Sequence, residues 1–282
     1  MPTSKRHHFV PQMILNGFTD QEGWLHWCRP ADRPIVVRPS RPLELFYQKH
    51  LYSTVSEQGI KDPAVELELS RFETDAARVV HKIVQAAMRE EIPRLSKDDE
   101  QVWHAFLHLQ WRRTPEAQMA ACSDTELLQM LEETCDEMRQ LLPGRAAEVE
   151  ALSSPEAKAR MVRNVRVEAL RRVSGAVAGI LARRGVSVLL IRKRHKKFII
   201  GSRPVVKITP KGKTDLNDPE VELWMPIASQ VAAGAGVGDG GISLWFLDDD
   251  RPIRQLNETI AAQSSIIAAA SADLVRSVAR PR

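Results

Sequence analysis

Ser174-Gly-Ala-Val-Ala-Gly-Ile-Leu-Ala-Arg-Arg184-Gly185-Val186-Ser-Val-Leu-Leu-Ile191 decides the fold. Up to Arg184 the apolar residues recur at helical spacing, and from Val186 they form a short β-branched run. Gly185 between them is the usual helix stop. Downstream, Val186–Ile191, Phe198–Ile200, Val205–Ile208, Glu222–Met225 and Ile242–Leu247 read as five strands. Upstream the helical period governs. Pro63 opens a helix over Ala64–Arg89, with Val65, Leu69, Phe72, Ala76, Val79, Val80 and Ile83 on one stripe. Ser96 caps a helix to Arg113, with Asp99 three residues on in capping-box style. Pro115 restarts a helix that ends at Leu142, and Ser154-Pro155-Glu156 opens one lasting to Arg184. Near the N-terminus, Trp24–Arg29 and Pro34–Arg38 read as a hairpin, and a final helix is expected over Pro252–Val278. The expected fold is a single α+β domain. A helical bundle (64–184) is inserted between an N-terminal signature and β-hairpin (1–63) and a C-terminal mixed or antiparallel sheet with a final packing helix (185–282).

The chain of 282 residues is 43% hydrophobic and 27% charged, which excludes wholesale disorder and fibrous or disulfide-stapled classes. No run is long and apolar enough for a membrane span, and no apolar signal core follows Lys5-Arg6, so no membrane partner is expected. Cys28, Cys122 and Cys135 form no C-x-x-C, which favours a reducing cytoplasm. Gly234–Gly241 holds five glycines without the residues of a phosphate cradle and reads as a hairpin loop. No cofactor signature and no nucleophile elbow is present.

The net charge of +4 conceals a balance of −8 over residues 64–150 and +15 over residues 156–213. Such a segment can bind a polyanion or face the acidic helix before it. Arg163 and Arg166 fall on one helical stripe. Arg192, Lys193, Arg194, Lys196 and Lys197 crowd what reads as a hairpin tip. RNA or DNA is the expected partner of these seven residues, held through its phosphates. The competing reading pairs the stripe with Asp124, Glu126, Glu132, Glu133, Asp136 and Glu137.

Arg6-His-His-Phe-Val-Pro-Gln-Met-Ile-Leu-Asn-Gly-Phe18, Leu107-His-Leu-Gln-Trp-Arg-Arg-Thr-Pro115 and Phe198-Ile-Ile-Gly-Ser-Arg-Pro-Val-Val206 resemble three motifs of domain-of-unknown-function family 4238. Its opening signature, H-x-V-P-Q-x-x-L-x-x-F, is matched by His8, Val10, Pro11, Gln12, Leu15 and Phe18, with His8 or the neighbouring His7 as the family histidine. Gly201-Ser202 stands where the third motif carries Ser-Asp, so if that aspartate does chemistry in relatives, Ser202 argues against activity here. The resemblance spans nearly the whole chain and implies an architecture without an activity.

On the Ser96-capped helix, at about 100° per residue, Gln110 and Arg113 fall at about +40° and −20° from Phe106, inside the apolar sector. Burying them requires partners. Either Arg113 is a structural clamp on carbonyls or a carboxylate, or the pair joins His8 and Gln12 in a polar pocket. The enzymatic reading is a nuclease or phosphodiesterase, with His8 as general base, Gln12 positioning substrate and Arg113 gripping phosphate. Gln110 and Ser202 complete that candidate catalytic set. The alternative is a non-catalytic module for nucleic acid or protein with a structural polar site. His104 and His108 lie on the opposite side of the helix and are expected to be solvated; no metal or other cofactor is assigned.

Overall fold

A computed structural model describes residues 5–210, 212–236 and 240–280. In chain order the strands are β1 (Arg6–His8), β2 (Leu25–Cys28), β3 (Arg38–Ser40), β4 (Tyr47–Lys49), β5 (Thr54–Val55), β6 (Lys61–Asp62), β7 (Val186–Ile191), β8 (Ile200–Gly201), β9 (Val206–Ile208), β10 (Glu222–Ala228), β11 (Val231–Ala235), β12 (Ile242–Leu247) and β13 (Ile267–Ala269). The α-helices are α1 (Gln12–Leu15), α2 (Ala64–Met88), α3 (Lys97–Arg112), α4 (Pro115–Ala121), α5 (Asp124–Leu141), α6 (Ala146–Leu152), α7 (Pro155–Ala169), α8 (Gly175–Arg184), α9 (Asp250–Gln263) and α10 (Ala272–Ala279). The class is α+β, as the helix-to-strand switch predicts. The switch is sharp because Gly185 takes φ +70, where a β-carbon would strike the Gly241 carbonyl.

The fold divides into two compact units. The first holds residues 1–7, 48–70 and 115–172. In it α7 packs against α5 and β5. Asn164 of α7 pairs with both backbone groups of Val55, at 2.8 and 2.9 Å, so a helix side chain continues the β5–β6 ladder.

The second unit holds residues 8–47, 71–114 and 173–282. Its five-stranded sheet has the order β12-β7-β11-β10-β9; β12 runs parallel to β7 and the other pairs are antiparallel. A four-stranded sheet, β3-β2-β13-β8, is antiparallel. The N-terminal segment docks here: Val10, Ile14, Leu15 and Phe18 are fully buried, and the Gly17 carbonyl accepts the Ser229 N–H at 2.9 Å. A β-carbon on Gly17 would sit 3.1 Å from Ala228 Cα, so the approach to β10 leaves little room for a side chain.

Several expectations need correction. The helix expected over 154–184 is two, because α7 ends at Ala169 and Ser174 starts α8 by accepting the Val177 N–H. The helix expected over 115–142 breaks at Cys122, where Ser123 opens α5 with a full capping box. The expected final helix is interrupted by β13, whose Ile267-Ala-Ala run is fully buried between β2 and β8. The strand expected over 34–38 is displaced to Arg38–Ser40, and β11 adds a strand within the Ala-Gly run. Arg192–Lys197 is not a hairpin tip, since β7 and β8 belong to different sheets. Nor does Gly234–Gly241 close a hairpin: β12 pairs with β7 rather than β11, and residues 237–239 lie outside the described residues.

Candidate functional site

The polar group proposed around His8 assembles within the second unit. Ser96 and Asp99 form the capping box that starts α3, and Arg113 is its C-terminal cap. Sixteen helical residues carry the Arg113 side chain into the interior, where it is 1% exposed. Its Nη1 donates to the Glu73 carboxylate, and its Nη2 donates to the His8 carbonyl at 2.6 Å. Glu73, on α2, is 24% exposed and so keeps one edge toward solvent. A buried guanidinium is held charged by just such a carboxylate and carbonyl pair.

His8 is half-buried, and its ring lies 5.7 Å from the Tyr47 ring, centroid to centroid. Its Nε2 stands 3.2 Å from the Leu43 carbonyl. A carbonyl only accepts, so Nε2 carries the proton and Nδ1 is left as acceptor. That lone pair faces the Gln12 amide at 3.4 Å. Desolvation is the largest influence on this imidazole and lowers its pKa, outweighing the Leu43 carbonyl and the Glu73 charge. It is neutral at pH 7 with both nitrogens engaged.

Gln110 lies one turn before Arg113 and is fully buried, and neither of its amide atoms meets a partner among the described residues. Ser202 is fully buried elsewhere in the unit. Its hydroxyl accepts the Ser265 and Ile266 N–H groups at 3.0 and 3.3 Å, and its own N–H bonds the Ile266 carbonyl. The side chain at this position therefore closes the turn beside β13. His8, Gln12 and Arg113 come together; Ser202 serves another junction. Glu73 is the residue that sequence reasoning passed over. Its signal was a carboxylate beside Leu69, Phe72 and Ala76 on the apolar stripe of α2.

A model of the family described as Protein of unknown function (DUF4238) matches residues 6–232. The chain belongs to this family. The DUF4238 match covers His8, Gln12, Glu73, Gln110, Arg113 and Ser202, and ends before β12. No curated protein and no solved structure matches the chain.

The basic residues assigned to nucleic acid are nearly all engaged within the chain. In the first unit, Arg163 donates to the Ser53 and His50 carbonyls. Arg166 pairs with Asp124 at 2.8 Å and donates to the Gln118 and Cys122 carbonyls. Lys158 pairs with Glu132, so part of the basic stripe does answer the acidic helix. In the second unit, Arg192 pairs with Asp248 and lies 4.6 Å over the Phe246 ring. Lys193 and Lys196 share Asp250, at 2.8 and 2.7 Å, and their hydrogen bonds bring its pKa down to about 2. Lys197 donates to Gln230. Arg194 is exposed and has no partner among the described residues.

The sequence predicts His104 and His108 to be solvated, but both are buried, at 6% and 5% exposed. The side of α3 opposite Phe106 is covered by α8. His104 Nε2 bonds the Gly185 carbonyl at 3.1 Å, which ties α3 to the glycine that ends α8. Among the described residues no group of three or more metal-ligating side chains converges, and no helix is long and apolar enough to cross a membrane.

Proposed function

We propose that this chain is a non-catalytic protein-binding module, in which the His8–Gln12–Glu73–Arg113 group is a structural clamp. The observation that carries this reading is the engagement of the group by itself. A general base needs a free lone pair within reach of substrate. His8 instead directs Nε2–H to Leu43 and Nδ1 to Gln12. A phosphate clamp needs an open guanidinium fork. Arg113 is 1% exposed and grips Glu73 and the His8 backbone. The phosphodiesterase reading would require both residues to give up these contacts.

The open edge of the five-stranded sheet supports a protein partner. β12 pairs only with β7 among the described strands, and it exposes Trp245 and Phe246 at 57% and 40%. An edge strand with free backbone groups can accept another chain's strand, and exposed aromatics are frequent anchors of such contacts. Asp248 and Asp250 pair with Arg192, Lys193 and Lys196, so three of the five basic residues of this segment are already held in ion pairs. The test is photo-crosslinking in cells from a benzophenone amino acid at position 246. Adducts that resist nuclease, yield to protease and vanish in Trp245→Lys are expected. Nuclease-sensitive adducts, or adducts unchanged by Trp245→Lys, would overturn the reading.

A further inference from the structure

A cleft of about 310 Å³ opens between α3 and α8, away from the clamp. His104 and His108 form one wall, and Ala178, Gly179 and Ala182 form the other. A β-carbon at Gly179 would meet only the Arg183 side chain, at 3.6 Å, so small residues keep this wall back. Gln101, at the mouth, is exposed.

The two imidazoles differ. His104 commits Nε2 to the Gly185 carbonyl. His108 is 95% buried, touches the Trp111 ring at 6.5 Å between centroids, and makes no hydrogen bond among the described residues. Its ring has no protein hydrogen-bond partner among the described residues and borders the open space of the cleft. No carboxylate, lysine or arginine lines the cleft. Burial holds both histidines below their usual pKa, so they are neutral at pH 7. With no charged side chain in its lining, the cleft offers a charged ligand no direct ion pair to offset its desolvation. A neutral molecule with an apolar body and one polar group meets no such penalty, and the volume suits one or two rings.

We propose that the α3–α8 cleft binds a small neutral ring compound carrying one hydrogen-bond donor, a phenol-like molecule, with its ring on the alanine–glycine wall and its donor on His108. This site is independent of the clamp and of the β12 edge. Phenol and benzene are the probes, since they share a ring and differ in the donor. Titration calorimetry of the full chain is expected to give saturable phenol binding at least tenfold tighter than benzene. His108→Phe keeps the ring volume and should bring phenol to the benzene level. Gly179→Leu fills the cleft with a better helix former and should abolish both. In the wild-type protein, phenol should also shift the His108 side-chain ¹⁵N resonances, a readout that does not depend on either variant folding. Absence of saturable phenol binding, a phenol preference retained in His108→Phe, or binding that leaves the His108 resonances unmoved would overturn the proposal.

Discussion

Arg113 enters the interior at the last turn of α3, where it donates to the Glu73 carboxylate and the His8 carbonyl, and the energetics of the group follow from which charge is left behind when one member is removed. Glu73→Leu takes its carboxylate away from a buried guanidinium charge, a loss of about 3–5 kcal/mol. Adding Arg113→Met removes that charge, so the double variant is expected to be more stable than Glu73→Leu alone. Urea unfolding of the three variants measures this, and strictly additive losses would show that the two side chains do not act as a pair. Gln110 should behave in the opposite way. Its amide is buried without a partner, so Gln110→Met is expected to lie within about 1 kcal/mol of wild type or above it. A loss above about 2 kcal/mol would mean that the amide is satisfied in solution. Both residues were legible in the sequence, because a 100° wheel puts them inside the apolar sector of α3. The partners were not. Glu73 is distant in sequence, and the Leu43 carbonyl that fixes the His8 tautomer leaves no trace in side-chain chemistry.

Helix α3 shows how a correct element can still mislead. Its ends were readable from Ser96, Asp99 and Pro115, yet the wheel admits one buried face and α3 has two. Covering by α8 pushes the His108 pKa down to about 4 from an ordinary value near 6.5. Between those values the unfolded chain binds the proton and the folded chain does not. Stability from this group is therefore full above pH 6.5, falls as pH drops toward 4, and is flat below. Over that window the loss is at most about 3–4 kcal/mol. Unfolding of His108→Phe beside wild type at pH 7, 6, 5 and 4.5 is expected to show wild type losing stability relative to the variant toward acid. A pH-independent difference would mean that His108 titrates normally. The missed breaks have a common cause as well. Ser174 and Ser271 each cap a new helix, but each sits inside a run whose average composition is helical. The β13 run Ile267-Ala-Ala gains its strand identity only from pairing with β2 and β8. Parallel pairing of β12 with β7, across some fifty residues, is likewise set by tertiary contacts.

At the scale of the whole chain, a +15 balance over residues 156–213 suggests a polyanion surface, whereas in the folded chain Lys158, Arg166, Arg192, Lys193 and Lys196 pair with Glu132, Asp124, Asp248 and Asp250. Linear charge counts cannot see pairs formed by folding. Gel-shift titration with RNA and duplex DNA at about 50 mM salt, where phosphate contacts are strongest, is expected to show no complex. A complex that weakens steeply with salt would restore the nucleic-acid reading. The clamp itself is tested most directly by incubating purified wild-type and His8→Ala protein with labelled RNA and DNA, with and without magnesium and manganese. Equal, background-level cleavage by both proteins is the expected result. Cleavage by wild type that is lost in His8→Ala, while the variant's unfolding curve shows it still folded, would contradict it.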